Sequence, residues 1–487
     1  MLRLLPRLAP VALLLTATMV LAAPTHAAEK LNFLLITVDD MNWDSVGVFG
    51  SKTPDITPNI DRFAAEGMRF EHAHVTIAIC QPTRAVWMTG RYPHNSGALG
   101  FNPIKRGVPT LVEALHEAGY YTGIMAKTGH VVPTRRAAFD ESIPAKELGN
   151  GRDPKKYYQH AAAFLANAKK QDKPFFLMAN TQDPHRPFAG SQQEAGRKRG
   201  DRNSKNDQYG GGFPDVSRTY QGDEVTVPDF LPDIPDVRKE IAEYFTSVHR
   251  ADESTGAVLK ALDDAGLRDT TLVMFLSDHG MPLPFAKTNV WYNSTRTPWI
   301  VRWPGVVEPG SHDMRHFISG IDLAPTVLDA LGVEPLEGMD GRSFVSVLKG
   351  EKQEGREHVF THINTIASSN AYPMRSVQDA KFGYIYNAWS DGKKVFRNES
   401  QSGLSMKAMR EAATNDSKIA DRVQHFVYRT KEEFYDYAKD PAALHNLIDD
   451  PAYADEIGRF RKLMREEMKS SGDYLLKQYD EDVAIKP

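Results

Sequence analysis

Cysteine is all but missing: Cys80 is the single one in 487 residues, so the chain can form no internal disulfide. An excess of either charge is missing too. There are 59 lysines and arginines against 63 aspartates and glutamates, a formal net charge of −4. No global positive field is available for nucleic acid or an anionic membrane, and an anionic ligand has to be caught by local charges. Long apolar runs are absent apart from the stretch around Pro10 to Ala23. That stretch is too short and too broken by proline for a comfortable span, so no stable membrane insertion is expected. There is no internal repeat and no heptad run. What remains is ordinary: 41% hydrophobic and 25% charged residues, with length enough for a large core and two domains.

The first 28 residues read as a signal peptide. Arg3 and Arg7 precede the apolar stretch, and the small residues Ala27 and Ala28 follow it, the order of an export signal; an uncleaved anchor is the alternative. Export places the mature chain in an oxidising compartment. A lone thiol there is either a small buried hydrophobe or a reactive group, and composition by itself favours the first.

Four apolar runs end in reactive side chains. Leu31–Val38 runs into Asp39 and Asp40, and Tyr120–Ala126 into Lys127 and His130. Pro174–Asn180 is followed by Asp183 and His185, and Thr271–Ser277 by Asp278 and His279. Short continuous apolar runs bounded by turn residues predict strands buried on both faces. Helical patterns lie between them: TPNIDRFAAEGM, TLVEALHEAG, YYQHAAAFLANAKK and STGAVLKALDDAG. The alternation predicts an α/β fold with a large, mainly parallel sheet flanked by helices. Ligands of such sheets bind beyond the carboxyl ends of the strands. Any one of these pairs also reads as a turn or a cap; four on one edge predict a site. Pro82 and Gly90 bracket a short helical pattern, which puts Cys80 at a helix N-terminus that favours an anion. Arg84, about one turn on, points back at the same place.

The polar, glycine-rich stretch 190–218 reads as a surface loop. Character changes near Leu348–His358, which divides a main domain over 29–355 from a C-terminal subdomain over 356–487. In the latter, Met374–Asn387 reads as a hairpin and Tyr453–Ser471 as an amphipathic helix, together a small antiparallel α+β unit. N-x-S/T triplets begin at Asn293, Asn398 and Asn415, a pattern too common to establish glycosylation.

Cys80-Gln81-Pro82-Thr83-Arg84, followed by Met88-Thr89-Gly90-Arg91, resembles the signature of the type I, formylglycine-dependent sulfatases of the alkaline phosphatase superfamily. Further matches cover nearly the whole mature chain: Asp39-Asp40, Gly119-Tyr120 through Lys127 and His130, Asp183-Pro184-His185, Ser277-Asp278-His279-Gly280, Lys287, Asp322–Gly332 and Glu432–Leu447. The resemblance implies that a formylglycine-generating enzyme oxidises Cys80 to an aldehyde (3-oxoalanine). It implies one divalent cation on Asp39, Asp40, Asp278 and His279, with Ca2+ first and Mg2+ or Mn2+ open. It also implies positive charge from Arg84, Lys127 and Lys287, a base in His130 and an acid in His185. Asp183 and Arg186 stand as sugar contacts or as a loop-shaping salt bridge, and His362 as a sugar contact or a structural histidine. Two departures stand out. Thr128 and Gly129 separate Lys127 from His130 where one residue is usual, and His279 stands where sulfamidase-like members often carry asparagine.

Asp183–Phe188, Ser277–Asn289 and Tyr372–Phe382 resemble the sulfamidase branch, and the Pro-His-x-Pro-Phe segment resembles the iduronate 2-sulfatases as well. The implied substrate is a heparan-sulfate-type sugar, N-sulfoglucosamine or an O-sulfated sugar such as a uronic acid. A phosphate or phosphonate ester hydrolase and a non-catalytic binding protein on the same fold are the rivals. The implied location is periplasmic or secreted, or a lysosomal-type compartment in a eukaryote.

Overall fold

The computed structural model describes residues 30–131, 138–198 and 212–483. The signal segment, and residues 199–211 of the glycine-rich stretch, lie outside the described residues. The eight-stranded sheet runs in the order β4-β3-β5-β1-β6-β7-β2-β8. Its strands are β1 (Asn32–Asp39), β2 (Met68–His74), β3 (Tyr121–Met125), β4 (Glu141–Ile143), β5 (Phe175–Pro184), β6 (Thr271–Ser277), β7 (Trp299–Arg302) and β8 (Ser311–Ser319). All neighbours are parallel except β7, which runs against both β6 and β2.

The four apolar runs are β1, β3, β5 and β6, adjacent and parallel at the centre of the sheet. Every residue of β1, β3 and β6 is buried, which is why they read as continuous hydrophobic runs. Alternate side chains leave opposite faces. Leu34, Ile36 and Val38 join a core with the helices Pro58–Ala65, Pro154–Lys170 and Pro235–Asp264. Phe33 and Leu35 join another with Trp87, Met88, Leu111, Leu115, Leu323 and Val327. Register then aligns the carboxyl ends: Met125 lies opposite Ala179, Thr37 opposite Asn180, and Val38 opposite Ser277.

The second sheet, β12-β11-β10-β9, is antiparallel: β9 (His358–Thr365), β10 (Ala371–Asp379), β11 (Phe382–Asn387) and β12 (Glu432–Asp436). The expected hairpin is β10–β11. The expected amphipathic helix, Ala454–Ser470, sets Ile457, Phe460, Met464 and Met468 against Phe360, Val377, Phe382 and Phe434. It is not alone: Leu404–Ala412, Ser417–Tyr428 and Leu476–Asp482 are helical as well. The first two bring Met406, Met409 and Phe426 into one core with Ile363, Met374, Ile385, Phe285 and Trp291, so the two sheets share apolar packing. From Leu31 on, the described residues form one compact unit, and none of their helices is long and apolar enough to cross a membrane.

Candidate active site

Cys80 opens the helix Cys80–Thr89, all ten residues of which are buried, and Gly90 ends it with a left-handed φ of 61°. Helix N-termini leave amides unpaired, so this one aims its positive end at the sheet edge. Cys80 Sγ lies 3.4 Å from His279 Nε2. Burial, then the neighbouring Asp39, push the thiol pKa well above its ordinary value; Cys80 in this form is a neutral, weakly nucleophilic thiol.

Asp39, Asp40, Asp278 and His279 are fully buried and crowd together. His279 Nε2 is 3.3 Å from Asp40 Oδ1 and 3.8 Å from Asp278 Oδ1. The other ring nitrogen, Nδ1, is 3.0 Å from Gly280 O and donates to it, which fixes the ring with Nε2 toward the acids. Burial and then Asp39 push the Asp278 carboxyl up to about 6. Asp39 Oδ1 and Asp40 Oδ1 are buried with no hydrogen-bond partner. Ligand atoms of Asp39, Asp40, Cys80 and His279 all lie within 4.8 Å of one another. Converging lone pairs and orphaned carboxylate oxygens in a dry site fit a divalent cation.

Three cations surround this cluster. Arg84 Nη2 is 2.9 Å from Asp278 Oδ2, and its Nη1 donates to Asn180 Oδ1 at 2.6 Å and Thr37 Oγ1 at 3.0 Å. Lys127 pairs with Asp39. Lys287 Nζ lies 2.8 Å from Asp40 Oδ2 and 2.9 Å from Glu399 Oε2. Asp40, Lys127 and Thr288 all adopt left-handed backbone, at φ 72°, 53° and 59°, a conformation that costs non-glycine residues energy and gathers at functional sites.

A cavity of about 460 Å³ opens over Cys80, lined also by His130, His185, Lys287, Phe101, Asn370 and Glu399. Burial and then the Lys127 charge hold the His130 pKa down to about 3, so the ring is neutral, and its buried Nδ1 has no partner. His185 Nε2 stands 3.9 Å from Asp40 Oδ2 and 3.6 Å from Glu399 Oε1.

Asp183, Arg186 and His362 do not line this cavity. Asp183 is buried between Arg152, at 2.9 Å, and Arg250, at 2.6 Å, and Arg152 Nη2 donates to His185 O at 2.8 Å. The pair therefore shapes the loop that carries His185. Arg186 is held by Glu240 at 2.6 Å. His362 is fully buried and stacks on Tyr92 and His94. It gathers with His94 and Asp473, but Asp473 is already engaged through both oxygens by Arg375. Breaking a buried pair strands the other charge. Arg250→Ala is thus expected to destabilise the protein by about 3–5 kcal/mol, read from urea unfolding; an unchanged midpoint would contradict this.

Asn180 and Glu399 were not singled out from sequence. Asn180 ends a run that was recognised as a strand, and its amide also ties Arg84 to Met125 O. Glu399 hides in the triplet Asn398-Glu399-Ser400. The amide of Asn398 is itself occupied, donating to Lys287 O at 3.1 Å.

A mainly parallel α/β sheet whose edge gathers three carboxylates, a histidine and three cations around a helix N-terminus fits a hydrolase of tetrahedral-anion esters. The Sulfatase family model matches residues 31–333, and the chain belongs to that family: it is a sulfate ester or sulfamate hydrolase. A second model, described as the C-terminal part of N-sulphoglucosamine sulphohydrolase, matches 278–395. Human N-sulphoglucosamine sulphohydrolase is 30% identical over 458 residues, covering 89% of each chain. A delta 4,5-hexuronate-2-O-sulfatase of Bacteroides thetaiotaomicron is 25% identical over 94% of this chain and 93% of its own. A solved structure described in complex with its substrate D-glucosamine-2-N,6-O-disulfate superposes at TM-score 0.67 with 19% identity, covering 91% of this chain and 99% of its own. The phosphonate monoester hydrolase of Agrobacterium radiobacter superposes at 0.62 with 19% identity, covering 91% and 96%. At those identities the structures speak to the fold alone.

Proposed function

We propose that the protein removes sulfate from a sulfated sugar of the glycosaminoglycan type, N-sulfoglucosamine foremost, through a formylglycine made from Cys80 and one divalent cation. The observation that carries this reading is the place of Cys80. It starts a buried helix within C-x-P-x-R, 3.4 Å from His279, under a cavity that Lys287, His130 and His185 also line. The sugar is supported by likeness to the human N-sulphoglucosamine sulphohydrolase along 89% of both chains. The O-sulfatase alternative is supported by the likeness to the hexuronate-2-O-sulfatase. Export is proposed from the order of charge, apolar run and small residues in the first 28 residues.

In the proposed chemistry the hydrated aldehyde offers two hydroxyls. One attacks sulfur, and the S–N or S–O bond to the sugar breaks. The other then loses its proton, the aldehyde re-forms and sulfate leaves. His130 would take the diol proton and His185 would protonate the departing amine or alcohol. Arg84, Lys127 and Lys287 balance charge on the sulfate oxygens. A divalent cation held by Asp39, Asp40, Asp278 and His279 would supply Lewis-acid polarisation of those oxygens. Calcium is the ion the family resemblance implies, whereas an imidazole ligand suits a softer ion. The test is sulfate release from N-sulfoglucosamine, glucosamine 6-sulfate and a 2-sulfated uronic acid disaccharide by enzyme whose Cys80 conversion is verified by mass spectrometry. Release from N-sulfoglucosamine is expected. Turnover of a phosphonate ester, with none of the three sulfated sugars cleaved, would overturn the reading.

A further inference from the structure

Glu399 is the only acidic residue among the described residues that line the cavity. A carboxylate there is costly for an enzyme whose substrate is an anion, so its position asks for a reason. Its side chain is 40% exposed. Oε2 accepts from Lys287 Nζ at 2.9 Å and Oε1 faces His185 Nε2 at 3.6 Å. The loop that carries it is pinned. Phe396 N donates to Val427 O at 2.8 Å, Asn398 Nδ2 to Lys287 O at 3.1 Å, and Ser400 Oγ to Asn398 Oδ1 at 2.8 Å. Burial opposes charge on Glu399, but Lys287 and then His185 outweigh it and hold the carboxyl well below its ordinary range. Each carboxylate oxygen has two acceptor sites. Lys287 takes one, His185 at 3.6 Å lies beyond hydrogen-bond length, and Glu399 lines the cavity beside His185, the residue proposed above to protonate the leaving atom.

Building on the sulfatase reading above, we infer that Glu399 selects sulfamates over sulfate esters by accepting a hydrogen bond from the N–H that bridges sulfur and sugar. The two substrate classes differ at that one atom. A sulfamate nitrogen carries a proton to donate; an ester oxygen carries only lone pairs. An ionised carboxylate accepts and cannot donate. It therefore bonds the first substrate and sets acceptor against acceptor in the second. Sites built to bond a substrate N–H or O–H reject the analogue that lacks it far more strongly than apolar pockets reject a missing methylene.

The experiment compares kcat/KM on N-sulfoglucosamine and on glucosamine 6-sulfate, an O-ester of the same sugar whose alcohol also needs a proton to leave, for the wild type, Glu399→Gln and Glu399→Ala, each with Cys80 conversion checked and folding confirmed by thermal melting. In Glu399→Gln the amide oxygen still accepts from Lys287 and the NH2 group turns to the leaving atom, donor against donor for the sulfamate. The ratio of N-sulfo to O-sulfo turnover is expected to fall about 10- to 100-fold in Glu399→Gln, and by a similar factor in Glu399→Ala. Equal losses on both substrates would show that Glu399 only positions Lys287 and His185, and would overturn the inference. So would a wild type that cleaves O-esters and leaves N-sulfoglucosamine intact, a result that keeps the sulfatase reading. A fully converted wild type that cleaves neither would instead overturn the sulfatase reading, and the inference with it.

Discussion

Cys80→Ala is expected to fold like the wild type and to lose at least about 10³-fold in turnover of any sulfated substrate. The exchange removes a sulfur atom from a residue that is 5% exposed and breaks the contact to His279 without stranding a charge, so the melting temperature should move little. The loss in rate follows from removing the group proposed to bond to sulfur. The sharper form of the test uses the natural chain. Preparations with different fractions of converted Cys80, measured by mass spectrometry of the peptide that carries it, should show activity proportional to the converted fraction. Full activity in material whose Cys80 is still a thiol would defeat the formylglycine proposal, whatever the alanine variant does.

The second large effect concerns the cation. Removing it with a chelator, or making Asp278→Ala, is expected to abolish turnover, a loss of at least about 10³-fold. Asp278 also holds Arg84 at 2.9 Å, so the variant disturbs a cation proposed to face the sulfate as well as the proposed metal ligands. Chelation has the cleaner outcome. Buried carboxylates deprived of a counter-ion repel, and a ligand that binds only the folded state stabilises it by mass action. The metal-free protein should therefore melt at a lower temperature, and Ca2+, Mg2+ or Mn2+ added back should restore both melting temperature and rate in the order of their fit. A preparation shown to be metal-free and still fully active would contradict the assignment.

The central sheet was legible because its strands are buried on both faces. Burial forces continuous apolar composition, and the polar residues that end each run are the ones the sheet edge collects. Asp39, Lys127, Asp278 and Cys80 could be placed together on that ground. The antiparallel course of β7 was not legible, since Trp299–Arg302 is short and carries no directional signal. The helix Pro235–Asp264 is 30 residues long, of which the sequence reading took only the last part. The substrate side was harder. Asp183 and Arg186 sit next to His185 in the chain, yet their side chains are taken up by Arg152, Arg250 and Glu240. Sequence adjacency says nothing about which way a side chain leaves a loop. Glu399 lies outside any apolar run or signature and reaches the cavity through tertiary packing, so no local pattern announces it.

The burial of the Cys80 helix also sets a schedule. All ten residues of Cys80–Thr89 are buried, so the enzyme proposed to alter Cys80 would reach the extended chain around it only before the fold closes. Closure waits on distant chain: β1 pairs with β6 from Asn32 to Thr271, and Glu399, which faces Lys287, comes later still. Roughly 320 residues separate Cys80 from Glu399, and at about 5–20 residues per second their synthesis takes about 15–60 s. That interval is the window in which Cys80 lies open. If Cys80 is modified as proposed, maturation is a race between modification and folding, and conditions that speed folding would lower the yield of active enzyme.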